Sequence, residues 1–143
     1  MWQELIFITN VFASFFLTGL IWLIQLVHYP SFRFVNEDDY PAFQKHHVYS
    51  IGKVVIPVMI AEIFTSFVLS WFYGFLSLHA LGFYLILLIW GSTGLFSIPI
   101  HSKLESGKNL DAINRLVSTN WIRTILWTLK SVISFYLLFC SIG

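Results

Sequence analysis

Residues 5–27 read LIFITNVFASFFLTGLIWLIQLV, a run without a single charged side chain. About 20 mostly apolar residues, rising 1.5 Å each in a helix, match a hydrocarbon core about 30 Å thick. The run therefore reads as a membrane-crossing helix. It exceeds the roughly 7–15 apolar residues of a cleaved signal peptide. Met1-Trp2-Gln3-Glu4 ahead of it has no basic residue, so a retained helix is expected.

Three further stretches fit the same template: residues 54–75 with one charge, Glu62; residues 80–100 with none; and residues 119–141 with Arg123 and Lys130. The fold class expected is all-α, an integral membrane four-helix bundle with antiparallel neighbours. Residues 1–143 form a single domain in this reading, with helices at about 5–27, 54–75, 80–100 and 119–141. Phe75 to His79 makes a tight hairpin between the second and third helices. His28 to Lys53 and His101 to Ser118 form two longer loops on the opposite side, each expected to contain a short helix. In the first loop, Asp39 or Tyr40 caps a helix with Pro41 at its start, which runs through His46 and His47 and can join the second span, with Pro57 as a kink. In the second loop, Gly107 to Asp111 turns into a short amphipathic segment, Ala112 to Val117.

Composition supports this class. The chain is 57% hydrophobic and 10% charged, against about 25% charged for ordinary soluble domains. With eight basic and seven acidic residues there is too little charge to keep a small domain's surface wet, so the apolar surplus must face lipid, and the bilayer is the first partner. A net charge of +1 without a basic run excludes a nucleic-acid partner. The single cysteine, Cys140, excludes an internal disulfide and a Cys-based zinc site.

Basic residues set the orientation. Arg33, Lys45, Lys53, Lys103, Lys108 and Arg115 all lie on the two longer loops, whereas the other side carries Glu4, His79 and the amino terminus. By the positive-inside rule the longer loops are cytoplasmic and both termini lie outside, as in a multi-pass protein of a bacterial inner membrane.

Polar residues inside the spans fall in stripes at helical spacing. These are Asn10, Ser14, Thr18, Gln25 and His28 on the first helix; Met59, Glu62 and Ser66 on the second; Trp90, Gly94, Ser97 and His101 on the third; and Asn120, Arg123, Trp127 and Lys130 on the fourth. Stripes of Ser, Thr and Asn are mostly packing glue between membrane helices. Ionisable groups at membrane depth are functional candidates by default, because each costs at least about 2.5–3.5 kcal/mol unpaired.

His28, His101, Asn120 and Arg123 converge at the cytoplasmic ends of three helices, beside His46 and His47, which diverge by about 100° on a helix so that only one faces inward. Glu62 lies roughly 13 Å into its span and can pair with Arg123 or Lys130. Three chemistries fit the set. Imidazoles from His28, His47 and His101 can ligate iron or copper, or bind haem with Arg123 on a propionate. Glu62, Asn120 and Arg123 can serve as catalytic groups in acid–base work on a lipophilic small molecule, with a Glu62–Arg123 pair shaping the pocket. A proton or solute path can run along the stripes, in which case so small a chain would form a homo-oligomer.

Two segments carry a resemblance. Gly19 through Tyr29, ending in His28-Tyr29, resembles the first helix of the bacterial four-helix membrane protoporphyrinogen oxidases, a haem-binding family with a Tyr-His pair at this place; Gln25 stands here where that family has an arginine. Asn120-Trp121-Ile122-Arg123-Thr124, with Pro57, is similar to the anthrone-oxygenase-like membrane domains. The resemblance implies a small four-helix membrane oxidoreductase and directs attention to His28, Asn120 and Arg123. The expectation is thus an oxidoreductase or oxygenase-type protein acting on a lipophilic small molecule at a cytoplasm-facing His/Glu/Arg pocket. The alternatives are a proton-coupled transport or channel subunit and a non-catalytic binding or assembly protein.

Overall fold

The computed structural model describes residues 1–142. It contains four long helices and, among the described residues, no strand. They are α1 (Trp2–Phe34), α2 (Tyr40–Tyr73), α3 (Leu78–Glu105) and α4 (Leu110–Ser141), each long and apolar enough to cross a membrane. Each packs on the next in chain order, and α4 closes the ring against α1. Along the α1–α2 seam, Asn10 meets Thr65 and Ser66 while His28 meets His47, so residue numbers run in opposite senses. The end holding the Gly74–Ser77 turn is called here the hairpin end and the other the loop end.

The helices exceed the sequence estimate at the loop end. The stretches read as loops with short helices are the continuous ends of α1, α2, α3 and α4, and the connections shrink to residues 35–39 and 106–109. The reason is physical: these ends mix polar with apolar residues, and an amphipathic stretch that buries one face continues a helix without being uniformly apolar. Asp39 is the N-cap residue of α2, with Pro41 in its first turn, but its side chain makes no capping bond. At α4, Asn109 Oδ1 accepts from the Ala112 amide at 2.8 Å. At the hairpin end, Gly74 adopts φ +89°, a left-handed conformation glycine takes without strain. Ser77 then caps α3 by accepting from the Ala80 amide at 3.2 Å.

Pro57 leaves α2 unbroken. Besides a closing 3-10 turn at Phe32–Phe34, the departures from α-geometry among the described residues are π-turns at Ile24–His28 in α1 and Thr93–Ser97 in α3. Pro30 and Pro99 each follow after one intervening residue. A proline inside a helix removes one N–H and clashes with the carbonyl four residues back, and one extra residue in the turn relieves that clash. The insertion also rotates everything beyond it by about 100°.

Side chains are distributed inside out relative to a water-soluble bundle. Phe12, Phe64, Leu88 and Val132 are exposed, while Asn10, Gln25, Glu62, Asn120, Arg123 and Lys130 are buried. Only 33%, 33%, 28% and 28% of the four apolar windows are buried within the protein, an exposed apolar surface compatible with a membrane bundle. The dry core lies toward the loop end, where Phe32, Tyr40, Leu104, Ile113 and Leu116 pack together with Trp127 below them.

Candidate functional site: two polar compartments divided by Trp127

All four helices contribute to a buried polar cluster at the loop end. From α1 come Gln25, His28 and Tyr29, the first two on the π-turn and the third just after it; from α2, Gln44 and His47; from α3, Ser97 and His101; from α4, Asn120 and Arg123. Nε2 of His28 and Nδ1 of His47 share a hydrogen bond of 2.8 Å. The two nitrogens of His101 are likewise engaged, Nδ1 by Gln44 at 2.8 Å and Nε2 by the Tyr29 hydroxyl at 3.0 Å. The His47 and His101 rings lie 5.3 Å apart, so the three imidazoles form one patch. His47 faces inward and His46 is exposed.

Beneath this patch Arg123 donates to Ser97 Oγ at 3.1 Å and to Asn120 Oδ1 at 3.2 Å. Its guanidinium lies beside the Tyr29 phenol and 5.3 Å from the Trp127 ring. Asn120 in turn donates to Gln25 Oε1 at 2.8 Å, and Gln25 donates to the Val117 carbonyl at 3.1 Å. One hydrogen-bonded chain thus runs from Val117 through Gln25 and Asn120 to Arg123 and Ser97, and a second from Tyr29 through His101 to Gln44. Three members of the cluster keep an unpartnered buried atom: Arg123 Nε, His47 Nε2 and Gln44 Oε1.

The expected Glu62–Arg123 pair is overturned. Glu62 Oε1 lies 3.3 Å from Lys130 Nζ, both side chains being 1% exposed. Trp127 Nε1 donates to Glu62 Oε2 at 3.0 Å, so the indole stands between the carboxylate and Arg123. Arg123 and Lys130 are seven residues apart on α4, roughly 10 Å along the axis, and one carboxylate cannot serve both. Lys130 also donates to Asn10 Oδ1 at 3.1 Å and to Ser14 Oγ. Asn10 itself donates to Thr65 Oγ1 and Ser66 Oγ at 2.8 and 2.6 Å. Glu62 therefore belongs to a second polar compartment, on the hairpin side of Trp127.

The stripe expected on the third helix is corrected too. Ser97 is buried and His101 half-buried, but Trp90 and Gly94 are exposed. The inward face above the π-turn is Ile86, Ile89 and Ser92. A count at constant period cannot anticipate the turn's extra residue. Tyr29, quoted only for the resemblance, and Gln44 were not among the candidate site residues, although Gln44 sits three residues before His47 and shares its face.

The histidines form a hydrogen-bonded set and not a coordination shell. One nitrogen of His28, one of His47 and both of His101 are committed to hydrogen bonds. Among the described residues no group of three or more His, Cys, Asp or Glu side chains is disposed to hold a metal ion. A metal shared by His28, His47 and His101 would have to displace the bonds that occupy both nitrogens of His101, whereas His47 Nε2 is without a partner. Protein purified in mild detergent is accordingly expected to lack a Soret band and to carry iron and copper well below one per chain. A stoichiometric metal lost in His101→Ala would contradict this.

Comparison with models of protein families, with characterised proteins and with solved structures finds no match to this chain.

Proposed function

We propose that this chain is a membrane-embedded, oxidoreductase-type protein that binds a lipophilic, oxygen-bearing small molecule at the loop end and handles its protons through the histidine cluster. The observation carrying this reading is Arg123. It is 6% exposed and lies outside both ion pairs found among the described residues, Met1–Glu4 and Glu62–Lys130. A buried cation without a counter-ion is held at a cost in stability. A ligand oxygen that takes up its unpartnered Nε offsets that cost. His47, with Nε2 free, is the group best placed to exchange a proton with such a ligand. Tyr29 and His101 form a phenol–imidazole pair beside it, and Asn120 positions the guanidinium.

Access is from the loop end, where His28 and His101 remain half-exposed. The π-turns of α1 and α3 lie at this level, and such turns are frequent at functional sites. Planar hydroxylated aromatics match the cluster's aromatic lining and its donors. Isothermal titration of the detergent-solubilised protein with a short-chain naphthoquinol tests the reading. Saturable binding is expected in the wild type, with loss of most affinity in His47→Ala and Tyr29→Phe. Equal affinity in all three proteins would rule the site out.

In the membrane the helices stand antiparallel with the loop end cytoplasmic. The six basic residues counted in the sequence all lie there, which supports this orientation. Tags on the amino and carboxyl termini of intact cells' protein are both expected to be cleaved by protease added outside. Protection of both would reverse the orientation.

A further inference from the structure

The Glu62–Lys130 pair takes no part in the chemistry proposed above, yet it is the most deeply buried ionic group of the molecule. Beside it, on the hairpin side, is a cavity of about 10 Å³ lined by Asn10, Ser66, His79, Gly82, Lys130 and Ser134 among others. A space of about 10–15 Å³ holds one water molecule when polar groups surround it. Asn10, Ser66 and Ser134 supply such groups. Ser134 is 4% exposed. His79, half-buried and stacked on Tyr73 at 4.0 Å between ring centres, stands at the outer edge of the cavity. Gly82 keeps the space open. A Cβ built there would already lie 3.9 Å from Lys130 Cε, so a larger side chain would occupy it.

We infer that this cavity is a water site beside Lys130, the cationic half of the pair, and that it is reached from the hairpin end only. Trp127 makes the access one-sided. It is the largest fully buried side chain, bonded to Glu62 below and lying against Arg123 above. The titratable groups facing the pair are thus His79 from α3 and, beyond the indole, Arg123 from α4; α1 presents only the neutral Asn10 and Ser14. The inference stands on the hairpin end alone and is independent of any ligand at the histidines.

Silver ion, close to water in size and reactive toward thiols, is the probe. Ser134→Cys is prepared in a Cys140→Ser background and placed in lipid nanodiscs. After exposure to silver, the protein is denatured and its remaining thiol is alkylated. Loss of alkylation is expected on the time scale that suffices for exposed Cys140 in the wild type. Adding Gly82→Leu, or the smaller Gly82→Val should leucine prevent folding, is expected to restore full alkylation. An unprotected thiol in Ser134→Cys, or protection that persists in the folded Gly82 variant, would overturn the inference.

Discussion

Glu62→Leu is expected to destabilise the bundle by about 3–5 kcal/mol, because it leaves the Lys130 ammonium buried without its carboxylate. Lys130 is 1% exposed and cannot reach solvent by a change of rotamer alone. The remaining partners, Asn10 Oδ1 and Ser14 Oγ, are neutral. The substitution also strips the Trp127 indole of its acceptor. The double variant Glu62→Leu with Lys130→Met is expected to recover most of the loss, since replacing a whole buried ion pair by apolar side chains of similar volume is often neutral or stabilising. Unfolding followed in detergent by circular dichroism measures both. A double variant as unstable as the single one would mean that the pair is not the interaction lost. The charge swap Glu62→Arg with Arg123→Glu is expected to rescue nothing, because Trp127 separates the two positions.

Arg123→Met is expected to do the opposite: to leave stability unchanged or raise it, while abolishing ligand binding. The guanidinium is buried among neutral partners, Ser97, Asn120 and the Trp127 ring. Its desolvation is therefore uncompensated by any carboxylate among the described residues. Methionine retains much of the aliphatic volume and removes the charge. What it leaves behind is modest, since Ser97 and Asn120 Oδ1 each lose one donor and Asn120 keeps its bond to Gln25. The two buried cations of α4, two helical turns apart, are thus predicted to respond to removal of charge complementarity in contrary ways. Functional sites are where such destabilising groups are retained.

The four helices are legible because long, predominantly apolar runs with two charges at most have few alternatives to crossing a bilayer. Their loop-end extensions are not, because residues 40–53 mix Gln44, Lys45, His46, His47 and Lys53 with apolar positions. Extending the helical phase backward from Glu62 resolves even that stretch. His47 falls about 60° from the inward direction and His46 about 160° from it, at 100° per residue. The same phase brings in Gln44. On α4, the stripe Asn120, Arg123, Trp127, Lys130 is buried throughout, since no proline or π-turn disturbs its period. On α3 the π-turn at Thr93–Ser97 shifts the register, and Trp90 and Gly94 fall outside. Pro30 and Pro99 were the available signals for both π-turns, and Tyr29, next to the first, was the residue lost with it.

The partner of Glu62 was open in the sequence because depth alone does not choose between Arg123 and Lys130. What decides it is a single bulky side chain. Trp127 occupies the level between them and divides one expected pocket into two compartments. The histidines show a related lesson about donors. Proximity made them look like ligands, and the structure shows them bonded to Gln44, to Tyr29 and, between His28 and His47, to each other.

The unfolding midpoint of wild type and of Arg123→Met, each with and without saturating naphthoquinol, tests most directly whether the arginine is held for a ligand. At a ligand concentration a hundredfold above Kd the wild type should gain about 2.7 kcal/mol, read as a rise of several degrees. Arg123→Met should start at or above the ligand-free wild type and gain nothing. An Arg123→Met protein that is much less stable than wild type, or that is stabilised by the quinol to the same extent, would show that the guanidinium serves the fold and not a ligand.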